Sequence, residues 1–254
     1  MKSKLSSLFS LAAVLAVVWS SAARASVSDL TSDFSDTSNP NGVWSFVYLG
    51  APLPHQASAL NNGNPLIPAI PAGGYFSTGP DLNVNTPDVL QAAVNGSSAG
   101  ETNGAFLAGD VVVHSPNDGT LSIVWTAPSS GTINSWTGSV WYAHPSVTRS
   151  NDVTVEFDST LETSFVVSPL LCSDRSHACS FSIPSLSVVA GDTLTLLFAK
   201  TSGQTFGSLD GVQDNINFTA ATPAVPLPAA LPLFATGLVG LGLLGWRRKK
   251  TAAG

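Results

Sequence analysis

The chain has 254 residues, of which 44% are hydrophobic and only 10% charged, with a formal net charge of −6. Between residues 26 and 222, three basic residues (Arg149, Arg175 and Lys200) stand against all 16 acidic ones, a local charge of −13. A surface that acidic repels phosphate backbones, so nucleic acid is excluded as a partner, while cations and neutral polymers remain open.

The chain opens with the pattern of a secretory signal peptide. Lys2 and Lys4 are followed by the apolar run Leu11–Trp19, and Ala23-Arg24-Ala25 supplies a small-x-small site. This predicts removal of residues 1–25 by cleavage before Ser26. Nine apolar residues are too few to span roughly 30 Å of hydrocarbon, which argues against a membrane anchor here.

Residues 26–219 read as one exported all-β domain. Apolar residues alternate with polar ones at Leu121, Ile123 and Trp125, at Val153, Val155 and Phe157, and at Cys179, Phe181 and Ile183. The same period recurs at Leu194, Leu196 and Phe198 and at Ile216 and Phe218. Period two means strands with one face on a core. Turn signals lie between them, among them Asn39-Pro40-Asn41-Gly42, Pro116-Asn117-Asp118-Gly119 and Ala190-Gly191-Asp192. The expected architecture is an antiparallel β-sandwich. Asp88–Val94 is a weak helical candidate, and Leu49–Gly74 reads as a long loop or an elaborated hairpin.

Chemistry-bearing residues are sparse. Cys172 and Cys179 are the only cysteines, and in an exported chain they are expected to form one disulfide rather than a metal site. His55, His114, His144 and His177 stand singly, without the spacing that brings two imidazoles to one metal. Gly96-Ser97-Ser98-Ala99-Gly100 matches the G-x-S-x-G pattern but lacks the βα surroundings that a hydrolase elbow needs. Asp152, Glu156 and Asp158 fall on one strand face, a solvated outer face rather than a glycosidase pair. No catalytic residue is assigned, so the chain is expected not to be an enzyme. Trp136, Trp141 and Tyr142 share one strand-like stretch, and neighbours in a strand point to opposite faces. One of these rings is therefore a candidate platform for stacking a sugar; filling the core is the other reading.

The end of the chain is the most specific part. A Pro-rich linker, residues 220–232, carries Val225-Pro226-Leu227-Pro228-Ala229. An apolar segment follows at 233–246, then Arg247-Arg248-Lys249-Lys250 within the tail 247–254. The apolar segment suits a membrane helix, and the basic cluster places its end in the cytoplasm. This three-part arrangement resembles the VPLPA variant of the PEP-CTERM sorting signal, with Leu227 where the commoner motif has glutamate. The resemblance implies export across the inner membrane of a Gram-negative bacterium and transient insertion there through the C-terminal helix. It also implies processing by an exosortase-type membrane protease and a role at the cell surface or in the matrix, often beside exopolysaccharide.

The middle resembles jelly-roll domains of the carbohydrate-binding-module type. The marks are Asp33-Phe34-Ser35, Asn39–Ser45, Trp125-Thr126-Ala127-Pro128, Ala190–Leu194 and Asp214–Phe218. That likeness implies exopolysaccharide as a ligand class. It also implies a structural Ca²⁺ between the first and last strands, at Asp33 and Asp214; ordinary solvated acids are the other reading of this pair. A purely structural or adhesive matrix protein and a glycan hydrolase are the alternative functions.

Overall fold

The computed structural model describes residues 25–60, 70–81, 87–95, 106–144 and 147–222, together with Gly237. The chain divides into two compact units, Ala23–Ala221 and a second made of Met1–Ala22 with Thr222–Gly254. The expected signal peptide (Ala25 apart), the proline motif, the apolar tail (Gly237 apart) and the basic cluster thus lie outside the described residues, as does the G-x-S-x-G stretch. Among the described residues, no helix is long and apolar enough to cross a membrane.

The first unit is all β, with fifteen strands and one 3-10 turn among the described residues. In chain order the first strands are β1 (Ala25–Asp29), β2 (Trp44–Tyr48), β3 (Ala51–Pro52), β4 (His55–Gln56) and β5 (Tyr75–Ser77). Next come β6 (Asp88–Gln91), β7 (Val111–His114), β8 (Leu121–Thr126), β9 (Gly131–Tyr142) and β10 (Asn151–Phe157). The last five are β11 (Thr160–Val167), β12 (Cys179–Ile183), β13 (Leu186–Val188), β14 (Thr193–Lys200) and β15 (Leu209–Ala220). They form two antiparallel sheets. Sheet B has the order β11-β10-β14-β8-β2-β3. Sheet A runs β12-β9-β15-β7-β6-β5-β4, with β13 also on β9 and β1 also on β15.

Strand alternation builds the core. Leu121, Ile123 and Trp125 of β8 and Leu194, Leu196 and Phe198 of β14 are buried in one cluster with Trp136, Val140, Val212, Ile216 and Phe218 of sheet A. Each such side chain contributes about 1.5–3 kcal/mol relative to exposure. Turn chemistry sets the registers. Gly191 has φ of 94°, which is cheap only for glycine. Between β10 and β11 the turn residues Asp158 and Ser159 have φ of 46° and 63°, the left-handed pair that a two-residue hairpin requires. Asp158 is therefore a turn residue and does not share the strand face of Asp152 and Glu156. Its Oδ1 accepts from the Thr193 N–H at 2.7 Å.

The irregular stretch also resolves into sheet. Asp88–Gln91 is strand β6, not a helix. Val89 faces the main core while Leu90 belongs to a second cluster with Tyr75, Phe106, Val112, Ala143 and Leu209. A strand buried on both faces loses its alternation and reads ambiguously. Strands β3 to β6 extend the edges of both sheets, and Ala59, Ile70 and Phe106 cover the outer face of sheet A there.

Candidate functional site

Strand ends converge at one end of the sandwich. There the segments after β9, after β11 and between β14 and β15 surround a cleft of about 570 Å³. It is lined by Val147, Thr148, Arg149, Pro169, Gln204, Thr205 and Phe206. Phe206 is 38% exposed, whereas the four described tryptophans, Trp44, Trp125, Trp136 and Trp141, are all buried. The Arg149 guanidinium carbon lies 4.9 Å from the centroid of that ring, at cation–π distance. Its Nη1 donates to the Gly207 carbonyl at 3.1 Å, fixing one side of the fork. Position 207 tolerates only glycine, because a Cβ there would meet the Ser115 carbonyl oxygen at 2.1 Å.

Between the sheets, a buried polar network joins strand ends at 115, 151 and 208–210. Ser115 Oγ donates to Asn151 Oδ1 at 2.5 Å, and the Ser208 N–H donates to the same oxygen at 3.0 Å. Asn151 Nδ2 donates to Asp210 Oδ2 at 2.6 Å and to the Ser208 carbonyl at 3.0 Å. Asn151 opens β10 in sheet B, whereas Ser115 and Asp210 belong to the β7 and β15 end of sheet A, so the network ties the two layers. Burial pushes the Asp210 carboxyl up to about 8, against the pull of the Asn151 hydrogen bond. The same cause lowers His114 and His144 to about 4, helped by the charge of Arg149. Both imidazoles are neutral near pH 7.

The aromatic residues picked out in the sequence occupy different surroundings. Trp136 is fully buried, donates from Nε1 to Asp214 Oδ1 at 2.7 Å, and meets Phe181 edge-on at 5.3 Å. Trp141 and Tyr142 do point to opposite faces, but neither is open. Tyr142 faces the core and its hydroxyl donates to the Val147 carbonyl. Trp141 faces outward, where Arg175 lies 5.6 Å over its ring. The loop closed by the expected disulfide, Cys172–Cys179, carries Arg175, and an ion pair to Asp110 at 3.1 Å holds it there. No face of the three rings is left for a sugar, which corrects the stacking expectation.

The calcium expectation meets a similar obstacle. Asp33 Oδ2 accepts from the Trp44 indole at 3.3 Å and from the Asp29 N–H at 3.0 Å. Asp214 is buried against Trp136, and burial pushes its carboxyl up to about 8, which favours the neutral acid. Among the described residues no three His, Cys, Asp or Glu side chains gather into a metal site. Calcium needs six to eight hard oxygens, and these residues do not fit it. A second groove, about 460 Å³, runs along the outer face of sheet A beside Asp29, Asp110, Arg175, Gln213 and Asn215.

Arg149 and Phe206 were missed in the sequence because nothing local links them. The one signal was compositional: Arg149 is among only three cations in residues 26–222.

No protein-family model matches the chain, and no curated protein matches it. Among solved structures it is similar to the CBM22-1 xylan-binding domain from Paenibacillus barcinonensis, at 10% identity and a TM-score of 0.33. That likeness covers 61% of this chain and 91% of the other. A family 35 carbohydrate binding module from Clostridium thermocellum is similar at 16% identity and a TM-score of 0.28, over 51% of this chain and 90% of that one. An exo-β-1,3-galactanase from Phanerochaete chrysosporium is similar at 18% identity and a TM-score of 0.26, over 52% of this chain but only 26% of its own. At such scores none of these likenesses bears on what this chain binds.

Proposed function

We propose that this chain is an exported, non-catalytic glycan-binding β-sandwich of the cell surface or extracellular matrix, with the cleft at Arg149 and Phe206 as its site. The observation that carries this is the half-open Phe206 ring beside Gln204, Thr205 and Thr148. A sugar ring offers an apolar C–H face and a rim of hydroxyls. An exposed aromatic takes the first, and amide, hydroxyl and guanidinium groups take the second. Among the described residues the cleft lining carries no carboxylate or thiol, and binding without turnover is expected.

The disulfide suits an oxidising compartment, and the sheet takes up the chain from Ala25, one residue before Ser26, where the mature domain is expected to begin. Delivery by a PEP-CTERM-type signal, with an exosortase-type protease acting near Val225–Ala229, completes the reading. The intact mass of the protein recovered from its own cells checks that step. A mass that still includes Arg247–Lys250 rules it out.

The binding test is affinity electrophoresis of the purified protein through gels containing polysaccharides of differing composition, the producing organism's exopolysaccharide included. Retardation by at least one polymer, lost in Phe206→Ala without loss of melting cooperativity, is the expected result. Mobility unchanged in every gel would leave a purely structural or adhesive role, and release of reducing sugar would mark a hydrolase.

A further inference from the structure

Arg149 stands apart from the other charges of the domain. Among the described residues, Arg175 is ion-paired with Asp110, and the Lys200 ammonium donates to the Asn117 carbonyl at 2.5 Å. Among the described residues Arg149 has no carboxylate partner, although residues 26–222 hold 16 acidic residues and only three basic ones. A half-buried arginine in so acidic a domain would ordinarily find one. Here its bonds are a backbone carbonyl on one side and an aromatic face on the other. The other described residues of the cleft lining are uncharged.

We propose that the cleft recognises a sugar bearing an acidic substituent, a ring carboxylate or a sulfate ester, with Arg149 as the group that binds the charge. The inference rests on the glycan-binding reading and names its ligand class. A guanidinium is a planar fork of five N–H donors, matched to two oxygens of a carboxylate or sulfate, and it cannot lose its proton. With Nη1 spent on Gly207 and the plane lodged by Phe206, the fork is pre-organised, so little side-chain freedom is lost on binding. Phe206 then takes the apolar face of the same ring. The domain's overall negative charge disfavours a long polyanion. That repulsion is screened beyond about 10 Å at 0.1 M salt, whereas the contact at the fork is direct. A short ligand therefore reads the local site.

The test uses the purified protein and matched trisaccharides in the galacto, gluco, manno and gulo series. Each is supplied in three forms: the uronate, its carboxyl-reduced neutral counterpart, and that counterpart sulfated at O6. Binding is read by calorimetry and by the shift of the Arg149 Nε–Hε resonance. The expected result is that one series binds in a charged form at least tenfold more tightly than in the neutral one. Arg149→Gln should abolish that preference, and Arg149→Lys should keep part of it. Whether uronate or sulfate binds better identifies the substituent. Equal or tighter binding of the neutral forms would overturn the acidic-ligand inference and leave the glycan reading standing. Failure of all three forms to bind would overturn the inference, and unretarded mobility in the polysaccharide gels would then remove the glycan reading too. Should Arg149→Gln not fold, the uronate-against-neutral comparison on the unaltered protein decides alone.

Discussion

Two aspartates on β15, Asp210 and Asp214, point to the same face and are both buried, and burial pushes both up to about 8. Their surroundings differ. Asp210 belongs to a network that crosses from sheet A to sheet B through Asn151. The carboxylate of Asp214 accepts from Trp136, on the neighbouring strand of its own sheet. The comparison separates two uses of a buried acid: one holds two layers together beneath a cleft, the other satisfies, within its own sheet, an indole N–H that the core would otherwise leave unpaired. The first should be expensive to disturb and the second replaceable.

The sharpest break is Asn151→Ala. It removes one acceptor of Ser115 Oγ and of the Ser208 N–H, which still bond each other at 3.1 Å, and it takes the donor from the buried Asp210 Oδ2. One buried group left unsatisfied costs about 1–3 kcal/mol and each of the other hydrogen bonds lost about 0.5–1.5 kcal/mol, so a loss of about 3–4 kcal/mol is expected in urea unfolding. A loss below 1 kcal/mol would mean that the two layers do not depend on this tie.

Titration probes both acids together. A carboxyl raised in the folded state stabilises fully below its unfolded value near 3.8, and that stability is lost as pH rises through about 8. Asp88 moves in the same direction through burial. The two histidines act in the opposite sense: lowered to about 4, they contribute stability above 6.5 that is lost as pH falls. From pH 4 to 6.5 the two sets oppose each other and the profile should be shallow. From 6.5 to 8 only the acids act, and stability should fall by roughly 1–2 kcal/mol for each. Chemical denaturation at half-unit pH steps checks this. Stability that does not fall between pH 6.5 and 8 would show that these acids are ionised in the fold.

Much of the fold was legible because burial on one face leaves a period of two. Leu121, Ile123 and Trp125 announce β8 without help from the rest of the chain, and the two cysteines announce their bond. The order of strands in sheet A was not legible, since β15 collects β1, β7 and β9 from distant parts of the sequence. β6 misled because both its faces are covered. The opposed faces of Trp141 and Tyr142 could be read from adjacency, but not the Arg175 loop that covers Trp141. Arg149 and Phe206 meet only because the loops after β9 and β14 end on the same side of the sandwich. No local spacing encodes that, so the cleft was invisible until the strands were placed.

The smallest effect tests the other half of the comparison. In Asp214→Asn the side chain keeps its size and keeps a carbonyl oxygen where Oδ1 accepts from Trp136. The indole stays bonded, and the group no longer ionises. Near pH 6 the acid is already neutral, so stability should change by less than about 1 kcal/mol. At pH 8 and above the variant should be the more stable protein, because it no longer carries a charge that burial disfavours. The pH profile should therefore flatten by one group's share, while Asn151→Ala, which leaves Asp214 untouched, keeps that share. Equal flattening in both variants would mean that the two acids titrate as one coupled unit, and the distinction between a tie across layers and a local partner would fall.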